Sequence, residues 1–119
     1  MSITIHSITL GNTGKIGGKT PFTVIAYSAD VTGVEEIKAA AVSGNNYLTR
    51  ISLQCPSMAA GEWVEIRNAA DVQMYILGDM GGGLLFDQYF ETPLQFSGAI
   101  NIDQEAADPI VIIIEGFEA

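Results

Sequence analysis

The chain has 119 residues and a mass of 12.6 kDa, a length that predicts one domain over residues 1–119 and excludes a second hydrophobic core. Its 14 acidic and 5 basic residues give a net charge of −9, and every Lys and Arg precedes residue 71. Because binding to nucleic acid and to anionic lipid depends on Lys and Arg, we expect neither nucleic acid nor a membrane as a partner.

A large apolar fraction accompanies this charge. Apolar residues make up 48% of the sequence and the mean hydropathy is +0.29, which is high for a small domain with much surface per unit volume. We therefore expect part of the apolar surface to lie in a contact between subunits. Residues 1–6 lack the basic segment and long apolar run of a signal peptide, so we expect synthesis in the cytoplasm.

The first part of the chain predicts two strands separated by a glycine-rich segment. Within residues 3–10 the apolar side chains change from odd-numbered to even-numbered positions. A β-bulge near His6 or Ser7 is therefore required for all of them to face one core. Residues 11–20 contain four glycines without periodicity and predict a loop or an arm that reaches a neighbour. Residues 21–28 are rich in β-branched and aromatic types and predict the second strand.

Residues 32–42 fit two interpretations. Thr32 and Glu35 have the spacing of a helix capping box, and the residues that follow suit a short helix. The same segment also alternates through Ile37, Ala39 and Ala41, as a strand does. Propensity slightly favours the helix and the surrounding strands favour a strand, so the sequence leaves both open.

From residue 47 onward the alternation is clearer. Residues 47–55 predict a strand whose odd-numbered residues share one face, and it ends at Cys55, where an unpaired thiol is expected to act as a small buried hydrophobe. Residues 62–68 alternate with Val64 and Ile66 inward, and residues 71–77 follow after a turn short enough for a β-hairpin.

The last third of the chain predicts three more strands. Residues 84–90 and 94–102 alternate and are separated by Thr92-Pro93, and residues 110–117 close the pattern. Residues 110–114 are all Ile or Val, which predicts a strand buried on both faces, either central in a sheet or covered by a neighbouring subunit. The whole pattern predicts an all-β fold, an antiparallel β-sandwich or jelly roll of about 8–9 strands.

Few residues suit catalysis or metal binding. His6 is the only histidine, which excludes sites built from several histidines, and no Gly-x-Ser-x-Gly sequence is present to offer a nucleophile. We therefore expect no catalytic residues, no cofactor and no metal site, and a protein that is not an enzyme. The acidic residues at Asp79 and at the turn with Asp103, Glu105 and Asp108 leave calcium binding open, although the residue order of an EF-hand is absent.

Aromatic residues offer an alternative function. Trp63 has the outward parity of its strand, beside Glu65 and Arg67, and together with Tyr75 it predicts a platform on which a sugar ring can stack. The alternative interpretation is therefore a carbohydrate-binding, lectin-like β-sandwich module.

The order of segments carries a resemblance to a known group of proteins. GVEEIKAAAVSGNNYLTRISL is followed by GEWVEIRN, MYILGD, FETPLQFSGAINID and PIVIIIEGF, and the resembling run extends from Val34 to Gly116. This order resembles small jelly-roll virion proteins of tailed bacteriophages that decorate or cement the head or project from it as fibres. The resemblance implies a homotrimer in the virion, made in the host cytoplasm, with the major capsid protein or another virion protein as partner.

The predicted subunit contacts come from the two ends of the chain. A glycine-rich arm and a final apolar strand are the parts expected to clamp neighbouring copies, because burying apolar area stabilises such contacts. The residues assigned to this role are Lys15, Lys19, Ile110, Ile112, Ile114 and Phe117.

Overall fold

The computed structural model of the chain describes residues 4–10, 18–28, 34–55, 62–78, 84–104 and 110–119, and nine strands lie within them. The strands are β1 (Thr4–Leu10), β2 (Thr20–Ser28), β3 (Val34–Lys38), β4 (Asn46–Cys55), β5 (Trp63–Asn68), β6 (Gln73–Gly78), β7 (Leu84–Phe96), β8 (Ile100–Gln104) and β9 (Ile110–Glu118). Strands β2 to β9 form two four-stranded antiparallel layers, and β1 adds a fifth strand to one of them, in the orders β1-β2-β9-β4-β7 and β3-β8-β5-β6. The predicted all-β sandwich is confirmed.

The topology is that of a long hairpin rolled into two layers. Strand β5 pairs with β6, β4 with β7, β3 with β8 and β2 with β9, so each successive pair encloses the one before it. The additional pairings of β9 with β4 and of β8 with β5 join these ribbons side by side into the two sheets. This nested arrangement of eight strands is the jelly roll.

One hydrophobic core lies between the sheets. Strand β9 is central in the five-stranded sheet, and its even-numbered residues face the inward side chains of β2 and β4. Gly116 takes a core position where a Cβ would overlap the carbonyl oxygen of Tyr47 and lie 2.8 Å from the ring of Phe22. The buried apolar residues form one cluster: Phe22, Val24, Ala26, Ile37, Leu48, Ile51, Leu53, Cys55, Val64, Ile66, Phe96, Ile100, Ile102, Ile110, Ile112 and Ile114.

Local chemistry fixes the hairpin at the centre of the roll. The side chain of Asn68 accepts hydrogen bonds from the backbone N–H groups of Ala70, at 3.0 Å, and Val72, at 2.9 Å. Asp71 occupies the left-handed region with φ of 63°, which Asn and Asp tolerate better than most residues. The predicted β5–β6 hairpin turn is confirmed, because one amide side chain closes it.

Two further sequence expectations are resolved. The register of β1 against β2 shifts between Ile5 and Ser7, which confirms the predicted bulge. The ambiguous segment forms strand β3 at residues 34–38, where pairing with β8 outweighs a slight helix propensity. Of the predicted glycine-rich segment, residues 11–17 lie outside the described part of the chain, and Thr20 already belongs to β2.

The regular alternation predicted for residues 47–55 is wrong at Thr49. The register of β4 shifts between Leu48 and Arg50 against both of its neighbours, so Leu48 and Ile51 both face the core. A bulge of this kind inserts one extra residue and reverses the parity beyond it. Tyr47 therefore lies on the outer face of the sheet.

The predicted break at Thr92-Pro93 interrupts the pairing but does not end the strand: residues 90–93 have no register partner on β4, between the pairs Arg50–Tyr89 and Leu48–Leu94. Strand β7 runs through Pro93 to Phe96, and the chain turns only at residues 97–99 before β8. Strand β7 lies at the edge of its sheet, where a residue without an N–H costs no ladder hydrogen bond.

Candidate functional site

The outer face of the five-stranded sheet presents partly exposed apolar side chains from its inner strands. Because paired residues in adjacent antiparallel strands point to the same side, the odd-numbered residues of β9 lie opposite to the buried Ile112 and Ile114. This surface, called the outer five-stranded face below, is defined by six partly exposed side chains: Ile25, Tyr27, Tyr47, Val111, Ile113 and Phe117.

Cross-strand neighbours arrange these six side chains into rows. Tyr27 pairs with Val111 and Ile25 pairs with Ile113, which places four apolar side chains together across β2 and β9. At the other end of the face, the rings of Tyr47 and Phe117 stack with centroids 5.0 Å apart and an interplanar angle of 14°. Apolar cross-strand pairs of this kind stabilise a sheet, and here they form two apolar patches separated by the polar row of Thr23, Glu115 and Arg50.

Lys19 completes the aromatic end of this face. Its ammonium nitrogen lies 4.5 Å from the ring centroid of Phe117, a distance at which a cation is attracted to the ring. Lys19 and Phe117 were predicted separately as subunit-contact residues, and the structure brings them together. Lys15, the third predicted residue near this end, lies outside the described residues.

A second charged group lies beside the apolar rows. Arg50 contacts Asp87 through two nitrogens, at 2.9 and 3.3 Å, and Glu115 at 3.3 Å. The guanidinium of Arg50 also lies 5.3 Å from the ring of Tyr89, whose side chain is 65% exposed. The cations of this face are thus paired with carboxylates or rings at its surface.

The predicted contacts through Ile110, Ile112 and Ile114 are wrong. All three side chains are buried in the core of their own chain, because β9 is a central strand and the opposing sheet covers its even-numbered residues. The alternation within β9 instead turns Val111 and Ile113 outward. The run of five Ile and Val residues therefore serves two purposes, core packing and an apolar outer surface.

The outer face of the four-stranded sheet has a different character. At its centre Glu65, only 6% exposed, accepts a hydrogen bond from the indole N–H of Trp63 at 3.0 Å and one from Arg67 at 3.0 Å. Arg67 also lies 3.3 Å from a carboxylate oxygen of Asp71 and 3.5 Å from one of Asp103. One guanidinium is thus shared by three carboxylates.

Burial perturbs one of these carboxylates. Partial removal from water raises the pKa of Asp103 above its ordinary value, and the negative charge of Glu65 raises this pKa further. The charge of Arg67 lowers this pKa, but it does not offset the burial and the negative charges of Glu65 and Asp71. The four-stranded face therefore holds its acids close together at some electrostatic cost.

The predicted sugar platform is not assembled. Trp63 lies on the outer face of the four-stranded sheet, but Tyr75 pairs with the inward Ile66 and packs against the core. Its ring meets that of Phe90 edge to face, with centroids 5.1 Å apart. Trp63 and Tyr75 therefore lie on opposite sides of their sheet, and the paired platform is wrong.

A buried polar group at one end of the sandwich was missed at the sequence level. Lys38 and Glu118 form an ion pair of 2.6 Å, and both residues belong to the buried set together with Asn46. Glu118 has the inward parity that starts at Ile110, which is the signal that predicts its burial. The burial of Lys38 could not be read from the alternation, because a register shift at Ile37 turns the side chains of Ile37 and Lys38 both inward.

Among the described residues, no group of three or more His, Cys, Asp or Glu side chains has the arrangement of a metal site. Of the acids considered for calcium, Asp79, Glu105 and Asp108 lie outside the described residues, and Asp103 contacts Arg67. No helix within the described ranges is long and apolar enough to cross a membrane.

No family model, curated protein or solved structure matches this chain.

Proposed function

We propose that this chain is a non-enzymatic structural protein of a bacteriophage virion, which decorates, cements or projects from the capsid. It acts as a homo-oligomer, with a trimer favoured, and contacts the major capsid protein or another virion protein. It is made in the host cytoplasm and resides in the virion. The observation that carries this proposal is the apolar outer five-stranded face.

The face supports an assembly role because of where its apolar residues lie. A sheet face that meets water normally carries polar residues at alternating positions, whereas the central strand β9 presents Val111 and Ile113. Contiguous apolar surface on a small protein marks a contact with another molecule. The jelly roll is compatible with this role, and capsid proteins, lectins and cupins share the fold.

Light scattering at micromolar concentration tests the assembly. We expect the mass of three chains for the unaltered protein and the mass of one chain, 12.6 kDa, for the variant Ile113→Lys. The matched control is Ile76→Lys, which makes the same change at a half-exposed position on the opposite sheet and is expected to remain a trimer. A monomeric unaltered protein, or an Ile113→Lys variant that still forms trimers, contradicts the proposal.

The virion assignment has its own test. Mass spectrometry of purified particles of the phage that encodes this chain is expected to find it at a copy number that is a multiple of three. Its absence from such particles, while other structural proteins are detected, contradicts the assignment even if the purified protein is a trimer.

A carbohydrate-binding module remains the second candidate, and one observation favours it. Trp63 is partly exposed on a rigid sheet, with its indole N–H fixed by the carboxylate of Glu65. Such an aromatic surface suits stacking against a sugar ring. A glycan array with Trp63→Ala as the control tests it, and the absence of any Trp63-dependent signal removes this candidate.

A further inference from the structure

Three polar residues meet in the otherwise apolar end of the sandwich. The ammonium nitrogen of Lys38, on β3, donates a hydrogen bond of 2.6 Å to a carboxylate oxygen of Glu118, on β9. Asn46, on β4, is fully buried and is the register partner of Glu118. Neighbouring side chains of such a pair lie on the same side of the sheet, so the amide and the carboxylate are adjacent.

A shared acceptor brings the amine and the amide together. The carbonyl oxygen of Ala39 accepts hydrogen bonds from Nζ of Lys38 at 2.9 Å and from Nδ2 of Asn46 at 3.0 Å. Nζ of Lys38 and Nδ2 of Asn46 therefore both lie within hydrogen-bonding distance of the same oxygen atom. Nδ2 of Asn46 donates a second bond, to the carbonyl oxygen of Gly98 at 2.9 Å, which fixes the plane of the amide.

The amide of Asn46 has an unmet requirement in this arrangement. Its carbonyl oxygen Oδ1 is buried and has no hydrogen-bond partner among the described residues. A buried acceptor without a donor costs free energy, and in native proteins such a group calls for an explanation. The neighbouring carboxylate of Glu118 accepts a hydrogen bond from Lys38, and it would become a donor for this oxygen on taking a proton from that ammonium group, which would polarise the amide carbonyl towards attack.

The surroundings keep water away from the group. Lys38 lies 5.1 Å from the ring centroid of Phe22, and both are buried. Backbone hydrogen bonds between Asn45 and Ala119, at 2.7 and 2.9 Å, extend the β4–β9 ladder past the Asn46–Glu118 pair. In a site without water, held in one geometry, an amine attacks an amide far more readily than in solution.

We propose that Lys38 and Asn46 condense to form an intramolecular isopeptide bond, with Glu118 as the catalytic acid and base. The site is thus a self-modification site of the folded chain. The proposal does not depend on the virion function, because it concerns only the chemistry of the sandwich interior.

The reaction balances without any other reactant. Glu118 takes one proton from the ammonium of Lys38, and the lone pair of Nζ then attacks Cγ of Asn46, with negative charge developing on Oδ1. The protonated Glu118 returns its proton to Nδ2 as the Cγ–Nδ2 bond breaks and ammonia leaves. The proton that Nζ still carries in excess passes through Glu118 to ammonia, which departs as ammonium, and the carboxylate is restored.

Intact-mass measurement of the purified full chain tests the bond directly. We expect the protein to be lighter than its sequence mass by one ammonia molecule. After denaturation and digestion with trypsin, we expect no cleavage at Lys38 and a single peptide of residues 20–50 that lacks one ammonia. This peptide also distinguishes the bond from cyclisation of an asparagine with its own backbone, which leaves Lys38 open to cleavage.

Three variants make the test specific, with circular dichroism to establish that each has folded. Glu118→Gln and Lys38→Arg are expected to keep the full sequence mass, since the first lacks the acid and the second has a guanidinium that is not a nucleophile. Asn46→Asp is expected to lose water instead of ammonia and to reach the same final mass as the bonded unaltered protein.

The opposite results overturn the proposal. A folded, unaltered chain that retains its full sequence mass after prolonged incubation shows that Lys38 and Glu118 form an ordinary buried ion pair. Loss of ammonia from the folded Lys38→Arg variant shows that the ammonia comes from another residue.

Discussion

On the outer five-stranded face, the central strand presents Val111 and Ile113 to the outside, and the ion pairs of Arg50 lie beside them at the surface. On the outer four-stranded face, the corresponding central position is occupied by Glu65, which is almost completely covered by its own neighbours. Both faces are formed by antiparallel strands, and they differ in which side chain takes the central position.

The difference shows how the two outer faces of a small β-sandwich can have different binding properties. A carboxylate at the centre of a sheet needs donors around it, and Trp63 and Arg67 supply them, so that face is complete within one chain. Isoleucine and valine need only contact with other apolar groups, which a second molecule can supply. In the proposed oligomer, the acids of the four-stranded face would disfavour association through that side, because like charges placed opposite each other repel.

The largest effect on stability is expected when the side chain of Glu65, at the centre of the four-stranded face, is removed. Glu65→Ala leaves the indole N–H of Trp63 without its carboxylate acceptor and weakens the anchoring of Arg67, and should lower the free energy of unfolding by about 2 kcal/mol. Glu115→Ala is the matched control, because this partly exposed carboxylate contacts Arg50 at the surface, and should cost less than about 1 kcal/mol.

Urea unfolding of both variants at one protein concentration measures the difference, since stability in an oligomer depends on concentration. Equal losses for the two variants would mean that Glu65 is no more structural than a surface carboxylate, and the contrast between the faces would fail.

A smaller effect is expected from salt. Copies of a chain with a net charge of −9 repel one another, and raising the salt concentration from about 0.1 M to about 1 M shortens the Debye length from about 10 Å to about 3 Å. If the subunits meet through the apolar five-stranded face, association should tighten several-fold, as measured by sedimentation of dilution series. Weaker association at high salt would indicate that ion pairs hold the subunits together and that the interface lies elsewhere.

The smallest effect concerns Asp103. Its pKa is raised in the folded protein, so the folded state binds its proton more tightly than the unfolded chain does, and stability falls as the pH rises from the unfolded pKa through the raised one. Asp103→Asn should therefore raise the free energy of unfolding at neutral pH by at most about 1 kcal/mol, and this gain should vanish below the unfolded pKa. A variant that is less stable at neutral pH would show that the contact with Arg67 outweighs the burial.

The fold could be predicted from the sequence because turns and alternation are local signals. The bulge of β1 and the Asn68 turn follow from residues that are close in the chain. The bulge at Thr49 and the passage of β7 through Pro93 could not be predicted, because both depend on which strand lies alongside. That partner is set by pairings over long separations in sequence.

The outer five-stranded face was only partly predictable for the same reason. In a run of five Ile and Val residues, apolar and polar positions do not alternate. The sequence therefore could not distinguish Ile112, in the core, from Ile113, on the outer face. Phe117 and Lys19 were assigned to a subunit contact from their type and position, and the structure places them together at one end of this face. Tyr47 was missed, because an uninterrupted alternation placed it with Ile51 and Leu53.

The nested order of the strands has a kinetic consequence. Among the nested pairs of β2 to β9, the β5–β6 hairpin closes the shortest loop, and each pair outside it must close a larger one, until β2 meets β9 across nearly the whole described chain. Loop-closure entropy makes such late, distant pairings slow, so we expect folding in milliseconds to seconds, in keeping with other proteins of high contact order. Until β9 arrives, β2 and β4 both have unpaired edges, and the newly made chain is most exposed to aggregation at that stage.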